Sequence, residues 1–316
     1  MKIIFAGTPD IAVPSLEALS AVSEVAAVLT APDRISGRGR KITPSAVKVK
    51  ALELGIPVLQ PETTGSKARE LIAETGADLL VAFAYGRIFG PKFLALFPRG
   101  GINMHPSALP LYRGPSPITA AILAGDTRIS LTVQKIALEM DAGDIISQTP
   151  FPLDGRETTA SLTASVALAA APELAAAVKK ISAGDTEAVP QDSSKATYCP
   201  IIRREDGLMD WSMPAVQIER MVRAYIPWPK ARTSMKSDTL VILESSVYRE
   251  NESGSGEQSV PGRVLGVDKS RGILIQTGKG ILAVTRLQLA SRKPLDFRSF
   301  LNGVELEQGI TLGEHT

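Results

Sequence analysis

The chain is expected to have an α/β fold, with a Rossmann-like, mostly parallel sheet domain followed by a small C-terminal β-barrel of OB-like type. Three observations lead there. Up to residue 189, short apolar runs rich in β-branched residues alternate with stretches of helical period, the pattern of a parallel sheet with crossover helices. From 190 to 206 the composition turns polar and irregular around Pro190 and Pro200, as a linker does. From 207 to 316 short β-like runs succeed one another at the spacing of a small barrel.

Composition narrows the class. With 316 residues, 44% hydrophobic and 22% charged, the chain has enough apolar material for two domain cores. A net charge of +2 gives no general affinity for nucleic acid or membrane, so any such surface is local. Cys199 is the single cysteine, which excludes an internal disulfide framework and fits a reducing compartment. Cys and His stand at no metal-ligand spacing, and no run of eighteen apolar residues occurs. The expectation is a cytoplasmic monomer with no metal and no membrane partner.

The elements follow in order. Lys2–Ala6 reads as a buried strand ended by Gly7-Thr8-Pro9; Asp10 then caps a helix whose inward stripe is Ile11, Pro14 in the first turn, Leu16 and Leu19. Gly7 stands alone, without G-x-G-x-x-G, so a nicotinamide-type cofactor is poorly supported. Glu24–Thr30 is a second strand. Ala31–Thr43 breaks the pattern with four basic residues, Arg34, Arg38, Arg40 and Lys41, against Asp33. Two readings stay open for it: a solvated loop, or an arm that orders on phosphates. Pro44 opens a helix to Leu54. Further strands are expected at Val58-Leu59, Ala77–Ala84, Gly100–Met104, Ser130–Ile136 and Asp144–Leu153, with helices at Ser66–Glu74, Pro91–Leu96 and Pro117–Ala124. Thr158–Ala183 is a long alanine-rich helix that Pro172 should kink or divide. In the second half, Pro214–Tyr225 is helical, and strands fall at Leu240–Tyr248, Arg263–Val267, Gly272–Thr277 and Ile281–Leu289, before a short helix at Phe297–Leu301. Charge in 206–316 is nearly balanced, so RNA contact there would come from one face, with Arg286, Arg292, Lys293 and Arg298 the better candidates.

The chemistry concentrates at Asn103-Met104-His105-Pro106. Asn103 and His105 lie two apart at the end of an apolar run, so on a strand both leave one face. Pro106 ends the strand and leaves an amide and an imidazole at its C-terminal edge, where open α/β sheets bind ligands.

The segment Asn103-x-His105-x-Ser107-x-Leu109-Pro110, then Tyr112-Arg113-Gly114 and, further on, Met140-Asp141-Ala142-Gly143, resembles the signature of the folate-dependent formyltransferases. The likeness begins at Lys2–Pro9 and resumes at Asp210-Trp211 and Pro227-Trp228-Pro229, so it spans nearly the whole chain. One departure is Ala108, where the family usually carries Leu; bulk is lost and the polar residues stand unchanged. The resemblance implies 10-formyltetrahydrofolate as the formyl-donor cosubstrate and initiator methionyl-tRNA as the acceptor. It implies that the loop of Ser107, Ala108, Leu109 and Pro110 bounds the folate site, with the Tyr85-Gly86 turn as backbone surface for the pteridine. It also favours the arm reading of Arg34, Arg38, Arg40 and Lys41, placed against the acceptor end of the tRNA.

On this reading Asn103 is a neutral oxyanion donor, His105 is a second donor that passes a proton, and Asp141 orients His105. The alternative for Asp141 is an ordinary turn residue before Ala142-Gly143, and the resemblance favours the catalytic role. Asp144, opening the next strand, is taken as structural. Tyr112 and Arg113 are either structural or face the folate tail. Formyl transfer from amide to amine needs no covalent intermediate, and neither Cys199 nor Ser107 has the setting of a nucleophile. Competing readings keep the core but change the acceptor to a ribonucleotide amine, an amino sugar or water, or make the chain an RNA-binding module.

Overall fold

Lys2–Gly7, all but its first residue buried, forms β1, and Glu24–Leu29 forms β2 beside it. This computed structural model describes residues 1–36, 41–185, 187–249, 260–304, 306 and 308–313. Between β1 and β2 the chain makes a single 3-10 turn over Asp10–Ala12 and then α1, Val13–Ser20. Asp10 therefore sits inside the turn and does not cap α1, contrary to expectation. Ala12 holds the cap position without a side-chain bond, and Pro14 in the first turn has no N–H to satisfy.

Arg34–Ser36 (β3) and Lys41–Thr43 (β4) pair antiparallel, with Arg34 opposite Thr43 and Ile35 opposite Ile42. The flanks of the basic stretch are thus a hairpin rather than an irregular loop; Ile35, Ile42 and Thr43 carry strand propensity that the density of charge obscures. Helix α2, Ala46–Glu53, is capped by Ser45, whose Oγ accepts from Lys48 N–H at 3.1 Å, so Pro44 precedes the helix instead of lying in its first turn. Then come β5 (Val58–Leu59), α3 (Ser66–Thr75), β6 (Leu79–Phe83), α4 (Pro91–Leu94), β7 (Gly101–His105), α5 (Pro117–Ala124), β8 (Arg128–Lys135) and β9 (Ile145–Pro152).

The seven strands other than the hairpin form one sheet in the order β5-β2-β1-β6-β7-β8-β9. The first five run parallel; β8 and β9 are antiparallel additions at the β7 edge. The C-terminal ends of β6 and β7 are therefore neighbours beside the reversal of strand order. Helix α6, Thr159–Ser182, runs unbroken through Pro172. The hydrogen bond that Pro172 removes would have ended on Leu168, an exposed residue (70%) whose carbonyl water can serve. By length and apolar composition α6 could cross a membrane, but nine of its residues, from Leu162 to Ile181, are buried within the protein at helical spacing, as in a core helix.

Two compact units result: Met1–Ile118, Arg128–Pro152 and Leu162–Pro200 make the first, and Thr119–Thr127, Leu153–Ser161 and Ile201–Thr316 the second. The second carries α7 (Ala215–Ala224), β10 (Ala231–Met235), β11 (Asp238–Arg249), β12 (Val264–Asp268), β13 (Gly272–Gln276), β14 (Ile281–Leu289), β15 (Leu295–Asp296) and α8 (Phe297–Leu301). Its antiparallel sheet runs β10-β11-β14-β13-β12, with β15 beside β14, around a core that includes Trp211, Ile218, Ile242, Val284 and Phe300. The sequence reading missed β10, β15 and a further element at 309–313. That segment bonds to the β12 side through Gly309 N–H to Val264 O (2.9 Å), Val264 N–H to Ile310 O (2.8 Å) and Leu312 N–H to Gly262 O (2.9 Å). Gly313 N–H then reaches Ser234 O of β10 at 2.9 Å, so the segment bridges the two edge strands that the sheet leaves open.

Leu312, 2% exposed, anchors this closure. Leu312→Ala should destabilise the second unit by ~2–4 kcal/mol in urea unfolding followed by Trp fluorescence; a loss below ~1 kcal/mol would mean the segment is not part of its core.

Candidate active site

Pro106 stops β7 at His105, and the strand period puts Asn103 and His105 on one face. Antiparallel β8 sets Gln134 opposite Asn103 and Thr132 opposite His105. The turn after β8 brings Asp141 back to the strand ends in a left-handed conformation (φ 52°). Its Oδ2 lies 3.7 Å from His105 Nδ1 and accepts the N–H of Gly114 at 2.9 Å, while Oδ1 accepts from Gln134 Nε2 at 3.0 Å. His105 Nε2 is 2.9 Å from the Tyr112 carbonyl. A carbonyl only accepts, so Nε2 carries a hydrogen, and Nδ1 is the nitrogen that faces the carboxylate. Asn103 is half-buried, and its amide has no hydrogen-bond partner among the described residues. The three residues singled out in the sequence are thus brought together.

The loop after β7 is rigid from within. Ser107 is fully buried; its Oγ donates to the Leu111 carbonyl and its own carbonyl accepts from Thr132 Oγ1, both at 2.6 Å. Its hydroxyl therefore shapes the loop. Leu109 is buried and its carbonyl accepts from Gln148 Nε2 at 3.1 Å, which leaves Ala108 and Pro110 as the half-buried members. At the end of β6 the Tyr85 ring turns inward and stacks on Phe89, centroids 5.3 Å apart, and burial pushes its phenol up. Gly86 is exposed at φ 78°, so this turn offers its backbone rather than its aromatic ring.

Arg113, left open by the sequence, is structural. It is wholly buried, and its five N–H groups meet five acceptor contacts. Nε and Nη2 donate to Gln191 Oε1 (3.1 and 3.0 Å), Nη2 to Ser193 Oγ (3.2 Å), and Nη1 to Glu139 Oε1 (3.2 Å) and Tyr198 OH (3.3 Å). The segment around 191–199, expected to be only a connection, is thereby fastened over the site. Arg113 N–H donates to Thr197 O and Cys199 N–H to Arg113 O, both at 2.8 Å. Gly114 is required by this closeness: at φ 119° a Cβ would lie 2.3 Å from the Cys199 carbonyl. Gly143 is required likewise, since a Cβ there would meet Lys135 O at 1.8 Å. Asp144 pairs with Lys135 at 3.6 Å on the surface and takes no part. Gln134 and Gln191 are the functional candidates that sequence reasoning missed; Gln191 sits in an irregular segment with no period to mark it.

In the basic stretch, Arg34 is exposed on β3 and Lys41 begins β4, whereas Arg38 and Arg40 lie outside the described residues. Asp33, its one acid, is tied to Lys48 at 2.6 Å and to Gln60 at 2.7 Å, and these bonds hold its carboxyl below the usual range. Of the basic candidates in the second unit, Arg286 is paired with Glu244 at 3.1 Å, and Arg292 and Lys293 are exposed.

Residues 1–178 match the family model described as formyl transferase, and residues 201–305 match that of the formyl transferase C-terminal domain. Fold and site together define a formyl transferase. The methionyl-tRNA formyltransferase of Treponema denticola is 43% identical over 311 residues, covering 96% of this chain and 97% of that one. That of Roseiflexus castenholzii is 40% identical over 316 residues, 99% of both. The chain belongs to the methionyl-tRNA formyltransferase family. Among solved structures, an N-formyltransferase from Helicobacter canadensis, in complex with folinic acid and dTDP-3-aminofucose, shares the fold with a TM-score of 0.66 at 21% identity, over 90% of this chain and 99% of that one.

Cys199, buried at the end of the 191–199 segment, has its thiol pushed up by burial, so less thiolate is present at any given pH. The native protein should react with a disulfide reagent at neutral pH at least ~10-fold more slowly than the unfolded chain. Equal rates would show that the 197–199 segment stands open.

Proposed function

We propose that the protein transfers the formyl group of 10-formyltetrahydrofolate to the free amino group of initiator methionyl-tRNA, supporting translation initiation in the cytoplasm. The observation that carries this is the Asp141 carboxylate 3.7 Å from His105 beside the Asn103 amide, which has no partner among the described residues, in a member of this family. The neutral amine attacks the formyl carbon directly; the new C–N bond forms as the carbonyl electrons move onto oxygen. Asn103 donates to that oxyanion, a task suited to an amide because it does not titrate. With Nε2–H given to Tyr112, His105 donates through Nδ1 in its protonated form, and Asp141 supplies the counter-charge. The amine's proton passes, by way of Asp141 or a water, to the departing folate nitrogen; the old C–N bond then breaks and tetrahydrofolate leaves.

The donor binds along the open backbone of Tyr85-Gly86 and the loop of Ser107, Ala108, Leu109 and Pro110, with Ser107 and Leu109 acting as its frame. Arg34, Arg38, Arg40 and Lys41 hold tRNA phosphates; their case is strengthened because Asp33 is neutralised elsewhere, by Lys48. We assign 1–189 as the catalytic domain, 190–206 as a linker whose first half, through 199, is fastened to that domain, and 207–316 as an OB-like tRNA-binding domain, in a monomer.

Two tests follow. His105→Ala and Asp141→Ala should each cut formylation of methionyl-tRNA by ~10²–10⁴-fold with the circular dichroism spectrum unchanged; near-normal turnover of either variant removes that residue from the mechanism. Neutralising Arg34, Arg38, Arg40 and Lys41 together should raise KM for tRNA and reduce the slope of log affinity against log salt by ~0.7–0.9 per lost phosphate contact. Unchanged tRNA use would leave the hairpin without a role in binding.

A further inference from the structure

We infer that Gln134 and Gln191 are positioning residues for the Asp141 carboxylate, set in one orientation by the buried guanidinium of Arg113; the inference rests on the formyl-transfer reading above. An amide has one accepting and one donating end, and here each end is determined by its neighbour. Gln191 Oε1 receives two N–H groups from Arg113, at 3.1 and 3.0 Å. Its Nε2 must therefore point the other way, and it meets the carbonyls of Asp141 (2.8 Å) and Gly143 (2.7 Å) and Oε1 of Gln134 (3.2 Å). That contact fixes Gln134 in turn: its oxygen is taken by Gln191, and its Nε2 donates to Asp141 Oδ1 at 3.0 Å. With Oδ1 engaged by Gln134 and Oδ2 by the Gly114 N–H, the carboxylate cannot rotate, and Oδ2 is the oxygen held toward His105 Nδ1.

Burial supports a purpose for this chain of amides. Gln134 is 2% exposed in β8, a position that apolar residues ordinarily take, and a polar side chain persists there only where it is paired. Gln191 grips the backbone on both sides of Ala142, so it holds the turn that carries Asp141 as well as the side chain beyond it. Reversal of either amide would set oxygen against oxygen or N–H against N–H. A fixed positive charge, Arg113, thus dictates the direction of donors up to a carboxylate it does not touch.

The test uses two variants that fail in different ways. Gln134→Leu keeps volume and removes the donor to Oδ1. Gln191→Glu keeps a partner for Arg113, favouring folding, but presents oxygen where donors to Gln134, Asp141 and Gly143 are needed. Steady-state kinetics with 10-formyltetrahydrofolate and methionyl-tRNA should show kcat reduced by ~10–100-fold in each, the order expected for misplacing a catalytic group. KM for both substrates should stay within about twofold, since binding surfaces are untouched. Gln191→Glu decides the matter if Gln134→Leu does not fold. A kcat within threefold of wild type in the folded variants, or a loss confined to KM, overturns the positioning role. An inactive wild-type protein would overturn the formyl-transfer reading instead, so the two failures are told apart by the wild-type control.

Discussion

A fully buried guanidinium is the constraint on which the site is built. Removing such a charge from water costs several kcal/mol even after relaxation, unless its donors are all met. Arg113 meets the condition only by drawing in Gln191, Ser193 and Tyr198 from one direction and Glu139 from another. These partners lie 26 to 85 positions away in sequence, so satisfying one side chain fixes the path of two remote segments. One segment is fastened beside the loop that follows β7. The other is the turn that carries Asp141. Replacing Arg113 with an apolar residue of similar volume could leave the core stable and would still lose the device that aligns both.

The sheet supplies the rest. Parallel β6 and β7 present their C-terminal ends together, one offering open backbone at Gly86 and the other the side chains of Asn103 and His105. The direction then changes. Because β8 runs antiparallel to β7, its polar residues Thr132 and Gln134 stand opposite His105 and Asn103, and its end feeds directly into the Asp141 turn. Beyond α5 and β8, the turn then folds back, and a carboxylate 36 positions after His105 returns to it.

Much of this was legible in the sequence, and what was missed has physical causes. The central strands of the main sheet, β1, β6 and β7, are almost wholly buried and read as continuous apolar runs, and Asn103, His105 and Asp141 stood out through strand period, Pro106 and the family signature. Gln191 did not, because a polar residue in an irregular segment is indistinguishable from solvated linker until its partner at position 113 is located. The β3–β4 hairpin was hidden by its charges. Asp10 looked like a cap because the preceding turn was not foreseen, and Pro172 looked like a break because the exposure of Leu168 cannot be read from composition. The 309–313 segment has only Ile310 and Leu312 as apolar residues; it is held by backbone bonds to strands that no local pattern connects to it.

The same accounting bears on the choice between direct and covalent transfer. A covalent route would need a side chain that is both nucleophilic and open to the donor. Ser107 has its hydroxyl hydrogen committed to the Leu111 carbonyl, and the fully buried residue cannot turn without opening the loop it shapes. Cys199 lies under backbone carbonyls of Tyr112 and Arg113, with its thiol pushed toward the neutral, less reactive form. The groups with spare capacity are of another kind: the Asn103 amide, the Nδ1 side of His105 and a carboxylate clamped in orientation. In the mechanism proposed above, a neutral donor uncommitted among the described residues, a nitrogen that can carry a proton and a fixed anion serve to stabilise an oxyanion and move a proton while the acceptor's own amine makes the bond. The site has spent its nucleophiles on architecture and kept its donors for chemistry.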